Sequence, residues 1–100
     1  MRNIQVQDSG FSVIDNGSSL QTAVMVLLPG EESGPLGNEH PKSEQVLFVH
    51  EGSVEAQIGD KIFEMSAGDS AIVPKDATHR FINRSQTRAV TFNVYAPKAY

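Results

Sequence analysis

Short β-favouring segments separated by turn residues recur along this 100-residue chain, and their regular spacing strongly limits how it can fold. Segments 53–58 and 61–65 flank Gly59-Asp60, a dipeptide typical of a two-residue β-hairpin turn. Similar segments arrive about every eight to twelve residues, and no stretch shows the hydrophobic period of a helix. This pattern predicts an all-β barrel or sandwich.

The longest apolar run, residues 20–28, is apolar on both faces of a predicted strand. Val24, Val26 and Leu28 share one face, while Ala23 and Met25 lie on the other. A strand of this kind suits the interior of a sandwich or barrel. A dimer interface would fit the same pattern, and the sequence does not separate the two interpretations.

Composition excludes several classes of function. The net charge is −4, with few and scattered basic residues, so we expect no nucleic-acid partner. Cysteine is absent, which excludes disulfides and thiolate ligands and fits a reducing compartment. The first residues have no apolar signal region, and no segment approaches the length of a membrane span. We therefore expect a soluble, cytoplasmic, single-domain protein that does not bind membranes.

Residues 68–83 combine a turn with a strand that carries a histidine. Pro74 presets the backbone of the turn, and Asp76 tolerates the left-handed conformation that such turns often require. After the turn, His79, Phe81 and Asn83 share one face, because side chains alternate along a strand. A lone histidine is usually a core or rim residue, so a chemical role would need partners from elsewhere.

These residues resemble the second motif of the cupin superfamily, usually written Gly-x5-Pro-x-Gly-x2-His-x3-Asn. The positions that match or replace its members are Gly68, Pro74, Asp76 (for the second glycine), His79 and Asn83. The first motif, anchored on Gly52, is degenerate, with Asn38, His40 and Gln45 at its two histidine positions and its glutamate position. The resemblance implies one domain over residues 1–100, with the motifs at 34–52 and 68–83. The implied fold is a double-stranded β-helix, or jelly-roll barrel.

In cupins the motif residues hold a divalent metal inside the barrel. The resemblance therefore implies a metal site of Asn38, His40, Gln45 and His79, in which two imidazoles remain and the carboxylate is lost. Zn, Fe, Ni, Mn or Cu are the candidate ions, and binding should be weak because the donor set is neutral. Glu39 and Glu44 are open candidates for a replacement carboxylate, although strand parity turns Glu44 away from Gln45.

Three functions stay open. The sequence favours a small-molecule binding barrel with a metal, in which Leu47, Val49 and Phe81 line an apolar pocket. A metal-dependent oxygenase, isomerase or decarboxylase is an alternative, and a metal-free dimeric binding or structural module is another. In the metal-free alternative, Gln45 would be the hydrogen-bond partner of His79. We expect a homodimer, for which the outward-facing Val46 and Phe48 could provide the interface.

Overall fold

The computed structural model describes residues 1, 3–4, 9–34, 36–37 and 40–100, and these form eight β-strands in two sheets. The strands are β1 (Gly10–Asn16), β2 (Gln21–Leu27), β3 (Glu44–Glu51), β4 (Ser53–Ile58), β5 (Lys61–Ser66), β6 (Ser70–Val73), β7 (His79–Ile82) and β8 (Ala89–Ala96). The larger sheet has the order β1-β2-β8-β3-β6, and the smaller has the order β5-β4-β7. All pairings are antiparallel, which confirms the predicted all-β fold.

The turns form where the sequence predicts them. Gly59 has a φ of 62° in the two-residue turn between β4 and β5. Asp76 has a φ of 65° in the turn between β6 and β7, so it takes the predicted left-handed conformation. An aspartate accepts this conformation more readily than most residues do, because its short polar side chain can bond locally to the backbone.

Gly52 joins the two sheets where β3 ends and β4 begins. Its φ is +79°, and a Cβ atom at this position would overlap the carbonyl oxygen of Arg88 and lie 3.0 Å from the Cα of Ala89. The backbone of the 88–89 segment therefore packs directly against the glycine. Only a residue without a side chain fits here, so this motif position has a structural cause.

β2 is buried on both faces, as its sequence predicts. One face packs into the space between the sheets, in a cluster of Met25, Leu27, Leu47, Val49, Val54, Ala56, Met65, Val73, Phe81 and Ala89. The other face forms a small outer cluster of Val24, Val26 and Val90, with Ile4, Ile14 and Phe92 packed against it. Each fully buried aliphatic side chain contributes about 1.5–3 kcal/mol to folding. Both clusters therefore stabilise the larger sheet.

Residues 31–34 and 36–37 lie beside β7 at the edge of the smaller sheet. Isolated bridges join Glu32 to Ile82 and Gly37 to His79. The backbone N–H of Ser33 also donates to the carbonyl of Phe81 at 2.8 Å. These described residues of the predicted loop are therefore held along the edge of β7. Within the residues described, no helix has the length and hydropathy needed to cross a membrane.

Candidate functional site

The inner face of the barrel is apolar at one end and polar at the other. Along β3 the inward side chains run from Val49 through Leu47 to Gln45, and along β7 they run from Phe81 to His79. The polar residues of these two strands therefore meet at one end, which we call the barrel mouth. The inward-facing residues of these strands are apolar at one end and polar at the other. A polar site therefore lies directly above the apolar core.

His40 enters this mouth from the loop before β3 and contacts Gln45. Both side chains are buried, at 5% and 3% exposure, and the His40 Nε2 lies 2.9 Å from the Gln45 Oε1. The hydrogen-bond partner of Gln45 is therefore His40, and not His79 as the metal-free alternative expected. Sequence parity placed Gln45 on the inner face correctly.

Two residues of β8 continue this contact into a buried relay of hydrogen bonds. Gln45 Nε2 donates to Asn93 Oδ1 at 2.8 Å, and Asn93 Nδ2 donates to Thr91 Oγ1 at 3.1 Å. Thr91 Oγ1 donates in turn to the backbone carbonyl of Met25 at 3.0 Å. Asn93 and Thr91 are fully buried. We call His40, Gln45, Asn93 and Thr91 the amide relay.

The donor and the acceptor of each hydrogen bond in the amide relay can be assigned, because the relay ends on a backbone carbonyl oxygen, which can only accept a hydrogen bond. The hydroxyl proton of Thr91 goes to Met25, so Thr91 accepts from Asn93 and Asn93 accepts from Gln45. The Oε1 of Gln45 is then left facing His40. His40 must therefore donate, and its proton lies on Nε2.

His79 has the opposite arrangement of its two ring nitrogens. Its Nδ1 lies 3.1 Å from the carbonyl oxygen of Ala77, so Nδ1 is the donor and carries the proton. In the neutral ring, Nε2 is then the nitrogen with a lone pair. Metal-binding histidines commonly donate their other N–H to a backbone carbonyl in this way. The rings of His79 and His40 lie with their centroids 4.5 Å apart.

A cavity of about 240 Å³ opens beside these two rings. It is lined by Phe11, Met25, Ser33, Gln45, His79, Phe81, Tyr95 and Tyr100. Ligand sites for drug-sized molecules are commonly about 300–1,000 Å³, so this cavity suits a smaller molecule. It combines apolar walls with a few polar groups, which is typical of small-molecule sites.

The predicted site residues fall in different places. His40, Gln45 and His79 come together, and Phe81 lines the cavity beside them. Leu47 and Val49 lie deeper, fully buried in the core cluster between the sheets. Asn38 and Glu39 lie outside the described residues. Glu44 is exposed at the start of β3, on the face opposite Gln45, as parity predicts. Among the residues described, no third His, Cys, Asp or Glu completes a metal-binding group.

Sequence reasoning missed Asn93, Thr91 and the aromatic residues of the mouth. Thr91, Asn93 and Tyr95 alternate on the inward face of β8 and are all buried. Two polar residues at alternate positions of an otherwise apolar strand could have indicated a buried polar site. The signal becomes specific only when the β3–β8 register, which pairs Leu47 with Asn93, is known.

Comparison with known proteins identifies the family of this fold. Residues 23–95 match the family model described as "Cupin domain". The chain is 33% identical over 66 residues to Protein SchB of Streptomyces halstedii, covering 66% of this chain and 46% of that protein. It is also 29% identical over 79 residues to Polyketide synthase CurC of Streptomyces cyaneus, covering 67% of this chain and 51% of that protein. The match therefore spans about half of each relative.

Solved structures show the same architecture. A protein from Bacillus halodurans superposes with a TM-score of 0.89 at 23% identity, covering 97% of this chain and 76% of that one. At this level of identity, the similarity supports the fold alone. The predicted jelly-roll barrel is therefore confirmed.

Proposed function

Since this chain belongs to the cupin family, we propose that it binds a small organic molecule in the mouth cavity, beside a divalent metal ion. The observation that carries this proposal is the pair of imidazoles, His40 and His79, whose ring centroids are 4.5 Å apart, with His79 in the wall of the cavity. Two rings that share one ion with metal–nitrogen bonds of 2.0–2.1 Å have centres roughly 4.5–5 Å apart. The pair is thus close enough to share an ion.

The donor set suits a first-row metal but favours weak binding. His79 already has the tautomer of a ligand, with Nε2 as its acceptor nitrogen. His40 has its proton on Nε2, so binding an ion through that atom requires the proton to move to Nδ1 and the bond to Gln45 to break. The Oε1 of Gln45 would then be a third, neutral ligand. Asn38 as a fourth ligand stays a prediction, as does the identity of the ion among Zn, Fe, Ni, Mn and Cu.

A bound ion would act as a Lewis acid on an oxygen atom of the organic molecule. The protein would supply the apolar wall, orient the molecule and keep water away from it. Among the described residues that line the cavity, His79 could accept a proton but no carboxylate accompanies it. The proposal is therefore limited to binding. The relative named as a polyketide synthase is consistent with a small organic ligand.

Elemental mass spectrometry of purified, untagged protein tests the metal. We expect about one divalent ion per chain after incubation with the five candidate salts, and its loss in the His40→Ala/His79→Ala double variant. His50→Ala is a matched control, because His50 is exposed on β3 and is the third histidine of the chain. Less than about a tenth of an equivalent in the wild-type protein would overturn the metal proposal.

The partner that we propose is a second copy of this chain. The outer face of β3 carries Val46 and Phe48, which are 39% and 37% exposed. Val46 lies between Val94 of β8 and Ile72 of β6, and Phe48 is opposite Phe92. These five side chains, of which Phe92 and Val94 are half-buried, form an apolar area across three neighbouring strands that we call the outer patch. Contiguous patches of this kind commonly mark an interface.

The polar residues beside the outer patch support a two-fold pairing. Glu44 precedes Leu47 by three residues and His50 follows it by three, and both side chains are exposed. Two copies stacked face to face with their β3 strands antiparallel would place the Glu44 of each near the His50 of the other. A self-complementary surface is what a two-fold interface needs. A cytoplasmic location remains a prediction from the sequence.

A further inference from the structure

A continuous series of six rings runs along the mouth, and all of them except His40 line the cavity. Their centroids are 4.7 Å apart for Phe11 and Tyr100, 5.2 Å for Tyr100 and Tyr95, and 5.1 Å for Tyr95 and His40. The series continues through the histidine pair to Phe81, whose ring centroid is 6.3 Å from that of His79. These spacings are those of favourable aromatic pairs. The six residues define what we call the ring wall.

The outer part of the ring wall is held in place by Gln21, whose side chain is only 1% exposed. Its Nε2 donates to the carbonyl oxygen of Tyr100 at 2.7 Å, and its Oε1 accepts from the backbone N–H of Tyr100 at 2.9 Å. The remaining N–H of the amide donates to Asn16 Oδ1 at 2.7 Å. The nitrogen and the oxygen of the buried Gln21 amide thus both hold the backbone of Tyr100 in place. The wall is therefore preorganised, which lowers the entropy cost of binding.

The cavity lining contains no Lys, Arg, Asp or Glu within the part of the chain that is described. Its polar side chains are neutral or imidazole: the amide of Gln45, the hydroxyl of Ser33, the tyrosines and His79. A buried cation without an anionic partner is costly, and a divalent ion held by the two histidines would repel it, so this lining disfavours a cationic ligand.

We infer that the ligand of this cavity is a planar aromatic molecule of one or two fused rings that carries a hydroxyl or carbonyl oxygen and no cationic group. This inference rests on the proposed function and names its ligand class. The rings of Phe11 and Tyr100 provide the stacking surface, and the oxygen faces Gln45 and the histidines. A volume of about 240 Å³ accommodates a molecule of this size.

Isothermal titration calorimetry with three probes tests this ligand class. The probes are 2-naphthol, decahydro-2-naphthol of similar shape without aromaticity, and the trimethylphenylammonium cation. We expect 2-naphthol to bind about tenfold more tightly than its saturated counterpart, because each aromatic contact adds about 0.5–1.5 kcal/mol beyond burial. The chain has no tryptophan, so the fluorescence of naphthol gives an independent titration without overlap from the protein.

Variants of Tyr100 test whether its ring is the source of the preference for 2-naphthol. Tyr100→Phe should keep the preference for 2-naphthol, whereas Tyr100→Leu, which retains bulk without a ring, should bring the ratio of the two dissociation constants close to one. This ratio does not depend on how much of the variant is folded. Phe48→Ala removes an exposed ring on the opposite face of β3 and should leave the ratio unchanged.

Three results would overturn the inference. Equal affinity for the two naphthols, or tighter binding of the ammonium cation, would exclude an aromatic ligand without a cationic group while leaving a small-molecule site in place. A preference that survives in Tyr100→Leu would show that the ring wall is not its source. Binding of none of the three probes would count against both this inference and the proposed small-molecule function.

Discussion

Gln45 and Asn93 are diagonal neighbours on the inner face of β3 and β8, and their side-chain amides are joined by a 2.8 Å hydrogen bond. Asn93 lies opposite Leu47, two residues along the strand from Gln45. Diagonal pairs of this kind are within reach of long side chains. Because both amides are buried, this bond decides which end of Gln45 faces His40.

The first prediction concerns the stability of the amide relay. Asn93→Leu should lower the free energy of unfolding by about 2 kcal/mol or more, because it leaves the buried Nε2 of Gln45 without an acceptor. Removing both partners in Gln45→Met/Asn93→Leu should cost less than the sum of the two single changes. Urea denaturation measures all three. Additive costs would show that the two amides are not coupled.

The second prediction concerns metal affinity. Gln45→Glu restores an anionic ligand beside His40 and His79 and should increase the affinity for a divalent ion by about tenfold or more. Competition titration with a chelating dye measures the change. Glu44→Gln alters the neighbouring residue on the exposed face and should have no effect. An unchanged affinity in Gln45→Glu would place the ion, if any, away from Gln45.

The third prediction compares two glycines that share a positive φ. Gly52→Ala should lower the free energy of unfolding by about 3 kcal/mol or more, since its Cβ would collide with the backbone of Arg88. Gly59→Ala meets no atom within 4 Å and should cost only about 1–2 kcal/mol for the left-handed conformation. Chemical denaturation gives both values. Equal costs would exclude a close backbone contact at Gly52.

The fourth prediction concerns pH and the Glu51–Arg88 pair. The hydrogen bond from Arg88 Nε, at 2.9 Å, holds the pKa of Glu51 below its ordinary value of 4.5. A lowered pKa in the folded state stabilises the protein above about pH 4.5 and stops doing so as the pH falls through the folded pKa. The melting temperature of the wild type should therefore exceed that of Glu51→Gln at pH 7, and the difference should shrink as the pH falls below 4.5 and through the lowered pKa of Glu51.

The difference in melting temperature between the wild type and Glu51→Gln should be small, because the Glu51–Arg88 pair is exposed and solvent screens its charges. Glu64→Gln, at an exposed position of β5, is a suitable control that should show no gap of this kind. A gap that widened towards acid pH would contradict the assigned direction of the pKa shift.

The fifth prediction concerns the outer patch. Val46→Ser/Phe48→Ser should shift the chain from dimer to monomer in analytical ultracentrifugation, because it removes apolar area from the centre of the proposed interface. Ile62→Ser, which changes an exposed residue of β5 in the smaller sheet, should leave the dimer intact. A monomeric wild-type protein at micromolar concentration would exclude the proposed dimer.

Much of the fold could be predicted from local patterns. The alternation in β3 places Leu47 and Val49 inside and Val46 and Phe48 outside, as the structure shows. The turns at Gly59 and Asp76 depend on residues that are adjacent in sequence. Such features follow from the period of two along a strand and from the chemistry of single turns, so no knowledge of distant contacts is needed.

The candidate site was predictable only in part. His40, Gln45 and His79 were found through motif spacing, but the contact between Gln45 and Asn93 joins residues 48 positions apart. Tyr100 approaches Phe11 from the other end of the chain, held there by Gln21. Contacts of this kind depend on the register between distant strands and on how the loops close, and the alternation within one strand fixes neither.

The position of β8 in the larger sheet has a consequence for how the chain folds. This strand, the last of the eight described, lies between β2 and β3, so the centre of the sheet is completed by residues that are synthesised after the other seven strands. Loops of many residues must close before these pairings can form, which slows folding. A nascent chain that ends before Ala89 has β2 and β3 but no strand to join them. We therefore expect the barrel to close only after synthesis of β8, in a single late and cooperative step.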